Sequence, residues 1–286
     1  MGLGSVKVKG KKINLTEMMG MVRLSLDGMD IKDLSEIKGL EKIKRLDGID
    51  LSNNQLTGLE GLEIFPNLKQ LFFNNNQLKS LEGLDSLKNI DRAFLKGNQI
   101  TDFGGIDEMS NLQWLDLTAN KVETLKGVNI LPNIVQLELK ENQISKIEDL
   151  DILTDLRSLK LGRNQISEIT GLKSLTELRM LILDHNNITE IKGLDNLINL
   201  EVLYLNHNQI PEIKGLEKLT NLETLYLDTN KIMEIKGLGN LKKLKLLYLG
   251  FNPIEGEFNK DIMGEEEVQK FLEEHMENSI SKKNIS

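Results

Sequence analysis

The sequence predicts an α/β solenoid with a parallel concave sheet and 3₁₀-like convex turns, and three observations carry that prediction. An asparagine recurs every 22 residues, at Asn54, Asn76, Asn98, Asn120, Asn142, Asn164, Asn186, Asn208, Asn230 and Asn252, with no insertion. Each closes one phrase, L-x-L-x-x-N-x-I/L/V, as in Leu203-Tyr204-Leu205-Asn206-His207-Asn208-Gln209-Ile210. A glycine follows seven residues after the Asn at Gly61, Gly83, Gly105, Gly127, Gly171, Gly193, Gly215 and Gly237, with Asp149 as the exception. A fixed period of this length marks stacked units, each of which buries its apolar side only against its neighbours.

Taken in chain order, Val6 to Ile13 alternates like a small hairpin and is expected to cover the open end of the first repeat, within an amino-terminal cap over residues 1–20. Its lysines, Lys7, Lys9, Lys11 and Lys12, suit an edge kept soluble by charge. Leu24-Ser25-Leu26-Asp27-Gly28-Met29 reads as the first repeat strand, with Met29 in place of the Asn. From Met29 to Asn54 is 25 residues, which leaves one extra turn around Leu34, Ile37 and Leu40. The repeats, this capping unit plus ten of the 22-residue period, fill residues 21–254.

Within a unit such as Leu153 to Leu172, the pair Leu159-x-Leu161 alternates with period two, the mark of a short half-buried strand. Leu and Ile spaced by three on the return path suit 3₁₀ turns, in which residues i and i+3 eclipse. The Asn sits where the strand turns away, and its amide, both donor and acceptor, suits a buried ladder that serves unpaired backbone groups. The glycine suits a corner that needs positive φ or a close backbone approach. Asn252-Pro253 halts the pattern, and Gly264 to Met276 then places Val268, Phe271, Leu272 and Met276 on one helical face. A helical cap over residues 255–278 and a disordered tail over 279–286 complete the expected organisation.

This unit resembles the 22-residue leucine-rich repeats of the regulator of type-1 protein phosphatase and of bacterial internalins, over residues 21 to 254. The resemblance implies a right-handed leucine-rich-repeat horseshoe whose concave sheet binds a protein. The Asn-Pro and the helix after it also look like the exit from leucine-rich repeats into a Ras-like GTPase domain, but no G-x-x-x-x-G-K-[S/T] occurs. The Tyr-Arg pair of the phosphatase regulator's cap is likewise not matched.

Composition narrows the classes. Zero cysteines in 286 residues fits a reducing compartment. Residues 1–12 hold no apolar signal core, no stretch is long enough for a membrane span, and Val6 stands where a myristoylation motif wants Ser or Thr. The expected location is the cytoplasm. A net charge of −8 opposes phosphate-backbone binding over the whole body.

Exposed strand positions are expected six, four, two and one residues before each Asn. The column four before it reads Asp50, Phe72, Phe94, Asp116, Glu138, Lys160, Ile182, Tyr204, Tyr226, Tyr248. All three tyrosines of the chain fall in this column, in consecutive repeats, and the single tryptophan, Trp114, stands beside Phe94. Strand propensity and cross-strand stacking alone favour such residues, but contiguous exposed apolar surface more often marks an interaction site. The face reads in three parts. Phe72, Phe94 and Trp114 form one apolar patch, and Asp116, Glu138 and Lys160 a polar centre with Arg157, Arg163 and Arg179. The second apolar patch runs through Met180, Ile182, Val202, Tyr204, Tyr226, Leu246, Tyr248 and Phe251.

His185 and His207 share the column one before the Asn, with Asp184 and Asp228 nearby; surface histidines with hydrogen bonds are a commoner outcome than zinc ligands. No nucleophile elbow, HExxH or phosphate loop occurs, and paired carboxylates on an open face lack an enclosed pocket. The sequence therefore predicts a non-catalytic, monomeric, cofactor-free and metal-free module. It would bind a folded protein domain or long peptide, rather than nucleic acid, through Phe72, Phe94, Trp114, Asp116, Glu138, Lys160, Ile182, Tyr204, Tyr226, Tyr248 and Phe251. Its expected role is a cytoplasmic scaffold or regulatory subunit linked to a phosphatase or small GTPase, with a secreted or surface internalin-like adhesin as the alternative.

Overall fold

The computed structural model describes residues 4–106, 109–254, 262–263 and 266–273, and the chain divides into two compact units, Met1–Asn142 and Gln143–Ser286. In both, short strands arise where Leu-x-Leu alternation lets two side chains enter the core while the residue between them points out.

The first unit opens with an antiparallel hairpin of β1 (Ser5–Val8) and β2 (Lys11–Asn14). Lys9 and Gly10 turn it at φ 47° and 82°, the positive pair that a tight two-residue hairpin turn requires. Val6 and Val8 are buried, and reciprocal 2.9 Å bonds between Lys7 and Lys38 tie the hairpin to the extra turn at Leu34–Leu40. A second antiparallel pair, β3 (Thr16–Met18) with β4 (Met21–Ser25), was not visible in the sequence.

From β4 the sheet is parallel through β5 (Gly48–Asp50), β6 (Gln70–Phe72), β7 (Arg92–Phe94), β8 (Trp114–Asp116) and β9 (Gln136–Glu138). Leu24 pairs with Ile49, so the first step is 25 residues; Ile49 with Leu71 starts the steps of 22.

The second unit repeats the plan with β10 (Ser158–Lys160), β11 (Met180–Ile182), β12 (Val202–Tyr204), β13 (Thr224–Tyr226) and β14 (Leu246–Tyr248), all parallel. A two-residue strand, β15 (Ile262–Met263), runs antiparallel along β14 and occupies its backbone edge. A helix over 266–273, α1, buries Val268, Phe271 and Leu272, and the Gln269 amide donates to the Leu244 carbonyl at 3.0 Å. Met276 and the expected tail over 279–286 lie outside the described residues.

The return path is a succession of i→i+3 turns, as in Leu62 to Leu59, Phe65 to Leu62 and Leu68 to Phe65, with bonds of 2.9–3.2 Å. Inside it runs the asparagine ladder. Asn208 Oδ1 accepts the Ile188 N–H at 3.0 Å, and its Nδ2 donates to the carbonyls of Leu183, Leu205 and Asn206. Asn76 and Asn120 do the same within the first unit. The corners need their glycines: at Gly215, φ is +73° and a Cβ would stand 2.6 Å from the Ile191 oxygen. Asp149 takes the same conformation at φ 58°.

A second asparagine column, unread in the sequence, joins the outer turns. Asn89, Asn111 and Asn133 donate to Pro66, Lys88 and Ser110 in one unit, as Asn199 and Asn221 donate to Thr176 and Ile198 in the other.

Candidate functional site

The in-register parallel pairing stacks equivalent residues of successive repeats, so each column of the sequence becomes a row of touching side chains. Strand spacing near ~4.8 Å falls within the ~4.5–7 Å centroid separation of packed aromatic pairs, which makes stacking the natural outcome for consecutive aromatics.

In the first unit, Phe72 and Phe94 stack with centroids 4.8 Å apart, and Phe94 meets Trp114 edge-on at 5.0 Å. The Arg92 guanidinium lies 5.9 Å from the Trp114 ring centre, a cation–π arrangement. The Trp114 indole N–H is buried with no hydrogen-bond partner, a cost of about 1–3 kcal/mol that the surrounding rings must offset. Asp116 and Glu138 are register partners on β8 and β9. Asp116 is held inward, because its Oδ1 accepts the Thr118 N–H at 2.8 Å.

In the second unit, Tyr204 and Tyr226 lie 4.1 Å apart and Tyr226 and Tyr248 4.0 Å apart. Burial raises the Tyr226 pKa above the usual 10.0, with Tyr204 and the Asp228 charge adding to the rise and the Tyr248 hydroxyl opposing it. Lys160 and Ile182 continue the same row on β10 and β11. Arg179 pairs with Glu201 at 2.8 Å and Lys245 with Glu223 at 2.9 Å along one margin of this face.

Three expectations need correction. Ile182 is only 8% exposed, because flanking rows cover the shorter side chain, so it is a floor beneath the surface rather than an open anchor. The column two before the Asn is not generally exposed: Ser52, Thr118, Gly162, Asp184 and Gly250 are buried where the chain bends down into the turn. At six before the Asn, Gly48 and Gln70 are buried too, under Arg23, whose Nη2 donates to Gln70 at 2.8 Å.

The column one before the Asn is a left-handed turn throughout. Asn53, Asn75, Gly97, Ala119, Glu141, Arg163, His185, His207, Thr229 and Phe251 all have φ between 53° and 70°. That geometry throws Phe251 outward, 80% exposed.

His185 and His207 stack at 4.0 Å, and His185 Nδ1 sits 2.9 Å from Asp184. Near-parallel rings send their nitrogen lone pairs along parallel lines that do not converge on one ion, so this pair suits hydrogen bonding better than zinc. Among the described residues no group of three or more potential ligands gathers around one point.

These features define a repeat solenoid with aromatic-lined sheet faces, and comparison places it among known proteins. A family model described as "Leucine Rich repeats (2 copies)" matches residues 44–86, 176–218 and 198–240. Internalin C2 of Listeria monocytogenes is 30% identical, with a TM-score of 0.52 over 73% of this chain and 80% of that one. Internalin inlF of the same organism is 28% identical, with a TM-score of 0.68 over 80% and 74%. A leucine-rich repeat protein of Leptospira interrogans is 29% identical, with a TM-score of 0.73 over 81% of this chain and 60%, under two thirds, of that one. No curated protein matches by sequence. The chain belongs to the leucine-rich repeat proteins, and its repeats resemble those of the internalins.

Proposed function

We propose that this protein is a non-catalytic module that docks a protein partner on its sheet face. The supporting observation is the tyrosine row: all three tyrosines of the chain stand in consecutive repeats and stack at 4.0–4.1 Å on the outward side of the strands. Such a row couples a broad apolar body to a line of hydroxyls, the combination favoured at interface anchors. In this reading Phe72, Phe94 and Trp114 serve the same end in the first unit. The partner is a folded domain or long peptide, not nucleic acid, in keeping with the net charge of −8.

The module acts as a monomeric cytoplasmic scaffold or regulatory subunit, for which the cysteine-free composition is the support. A second reading, a secreted or cell-surface adhesin, is favoured by the likeness to internalins. Two measurements test this. Partner capture from cells that express the gene should fail for Tyr204→Ala with Tyr226→Ala and persist for the outer-turn variant Lys214→Ala; the reverse refutes the sheet-face reading. Fractionation of the full gene product separates the two locations, and recovery from the medium or cell surface selects the adhesin.

A further inference from the structure

We propose that the amino-terminal cap, a site separate from the sheet face, docks on an anionic lipid surface. A row of three lysines, Lys12, Lys7 and Lys38, meets the headgroups, and Met18 and Met19 enter the interface beside them.

Backbone pairing sets the row. Lys7 on β1 is the register partner of Lys12 on β2 and, on its other side, of Lys38 in the extra turn of the first repeat. Directly opposed residues of antiparallel strands project to one face, and Val6 and Val8, which flank Lys7, are buried on the other. Lys7 therefore stands between two like charges, at Cα separations of ~4.5 Å to Lys12 and ~5.5 Å to Lys38. All three side chains are exposed, and among the described residues no ion pair holds any of them. Acids close by are engaged elsewhere: Asp30 with Lys9 at 2.6 Å, and Asp33 and Glu36 with the backbone N–H groups of Lys32, Asp33 and Ser35. Residues 1–46 carry ten Lys and Arg against six Asp and Glu, a net +4 in a chain of −8.

Like charges directly opposite one another cost stability, and protection of a sheet edge does not account for the cost. Edge lysines guard unpaired backbone, whereas the Lys7 N–H and C=O are both bonded to Lys38 at 2.9 Å. The central lysine thus guards no edge. Three cations abreast on an open face match a plane of negative headgroups, while one small anion would need walls to hold it.

The methionines favour a lipid surface over a soluble polyanion. Met19 and Gly20 turn the β3–β4 hairpin at φ 52° and 76°, leaving Met18 and Met19 61% and 98% exposed. Only Leu15 separates β2 from β3, so the lysines and this tip belong to one stretch of chain. Flexible, unbranched thioether side chains can enter the acyl boundary, where buried apolar area adds to electrostatic attraction. A soluble phosphate chain offers them nothing to bury in.

The test uses the full chain, sedimented with phosphatidylcholine vesicles with or without about 30% phosphatidylserine at about 100 mM salt. Each lysine at such a surface contributes about fivefold in binding. Wild type is expected to bind the phosphatidylserine vesicles at least about tenfold more tightly than the neutral ones, and Lys7→Gln with Lys12→Gln to lose at least about tenfold. Lys192→Gln with Lys214→Gln removes the same charge from outer turns of the second unit and should stay within about threefold of wild type. Met18→Ser with Met19→Ser should weaken binding at least about threefold. The Lys7/Lys12 variant should melt no lower than wild type, because it relieves repulsion; a lower melting point refutes the strained row. Binding indifferent to phosphatidylserine, or lost equally in both lysine pairs, overturns the site. An unchanged methionine variant strikes the insertion and with it the case for lipid. If inorganic tripolyphosphate binds at the row and vesicles do not, the occupant is a soluble polyanion and the membrane is wrong. None of these outcomes touches partner capture by the tyrosine row, so the two readings fail separately.

Discussion

Replacing Asn208 by Ala tests what holds the repeats together. Asn208 lies within the second unit and has an equivalent asparagine in the repeat on either side. The substitution removes the side-chain acceptor of the buried Ile188 N–H, 3.0 Å from Oδ1. It also removes donors to Leu183 and Leu205, but each of these carbonyls keeps a second donor, from Asn186 and Asn230 respectively. The dominant loss is therefore one orphaned N–H, ~1–3 kcal/mol, with a smaller contribution from the weakened carbonyls, for a total of ~2–4 kcal/mol. Asn208→Asp is the sharper control. It keeps an acceptor for Ile188 but sets a carboxylate where Nδ2 now meets three carbonyl oxygens, at 2.9–3.3 Å. It should destabilise more than Ala at neutral pH and recover in part on acidification, when the carboxyl regains a proton to donate. Urea unfolding reads the magnitude, and native-state hydrogen exchange should place the loss in the repeats that flank Asn208. An alanine variant with an unchanged midpoint, or an Asp variant as stable as wild type, would refute the ladder as a source of stability.

Further outcomes follow from the same geometry. Tyr226→Ala should lower stability by less than about 1 kcal/mol, the scale of a lost cross-strand pair, while costing about 1–4 kcal/mol of partner affinity; parallel melting and binding measurements check both. Because burial raises the Tyr226 pKa, the folded state disfavours its phenolate. The associated stability is complete below pH ~10 and lost as pH rises through the folded value, and ultraviolet titration should show a late component that Tyr226→Phe removes. Gly215→Ala, at φ +73° and 2.6 Å from the Ile191 oxygen, should cost ~1–3 kcal/mol in thermal unfolding. Asp149→Gly, which relieves a non-glycine φ of 58°, should be neutral or stabilise by up to ~1 kcal/mol. Leu272→Asp should destabilise the carboxy-terminal repeats first, seen by hydrogen exchange, because Leu272 is 3% exposed in α1.

The repeat made much of this fold legible. Wherever a residue type recurs because backbone geometry demands it, the period amplifies the signal: the Asn ladder, the positive-φ corners including Asp149, and the spaced-by-three turns could all be read. Apart from the second asparagine column on the outer turns, what escaped has no repeated residue type to carry it. The left-handed column before each Asn holds residues as different as Ala119, Glu141 and Thr229, so its common backbone is set by the neighbouring turn and leaves no compositional trace. Burial of Asp184 and Gly162 was missed because alternation says which side a side chain leaves from, not how soon the chain dives beneath its neighbour. The strands β3 and β15 lie outside the period, where three- and two-residue segments carry too little pattern to register. At the candidate site, membership of a row was readable from spacing, but the depth of Ile182 and the outward throw of Phe251 depended on side-chain size and local φ.

The unbroken step of 22 residues gives this protein an unusual route to change. Tyr204, Tyr226 and Tyr248 occupy the same place in three successive copies of one plan. An in-frame duplication of a single copy would thus lengthen the ring stack by one member and create no new kind of junction. The amide ladder, the corner glycine and the strand pairing would each find their usual neighbours. Loss of a copy would shorten the row as cleanly. Under the proposed docking role, reach along a partner is heritable in whole units, whereas a change in what the row would recognise still has to come one side chain at a time.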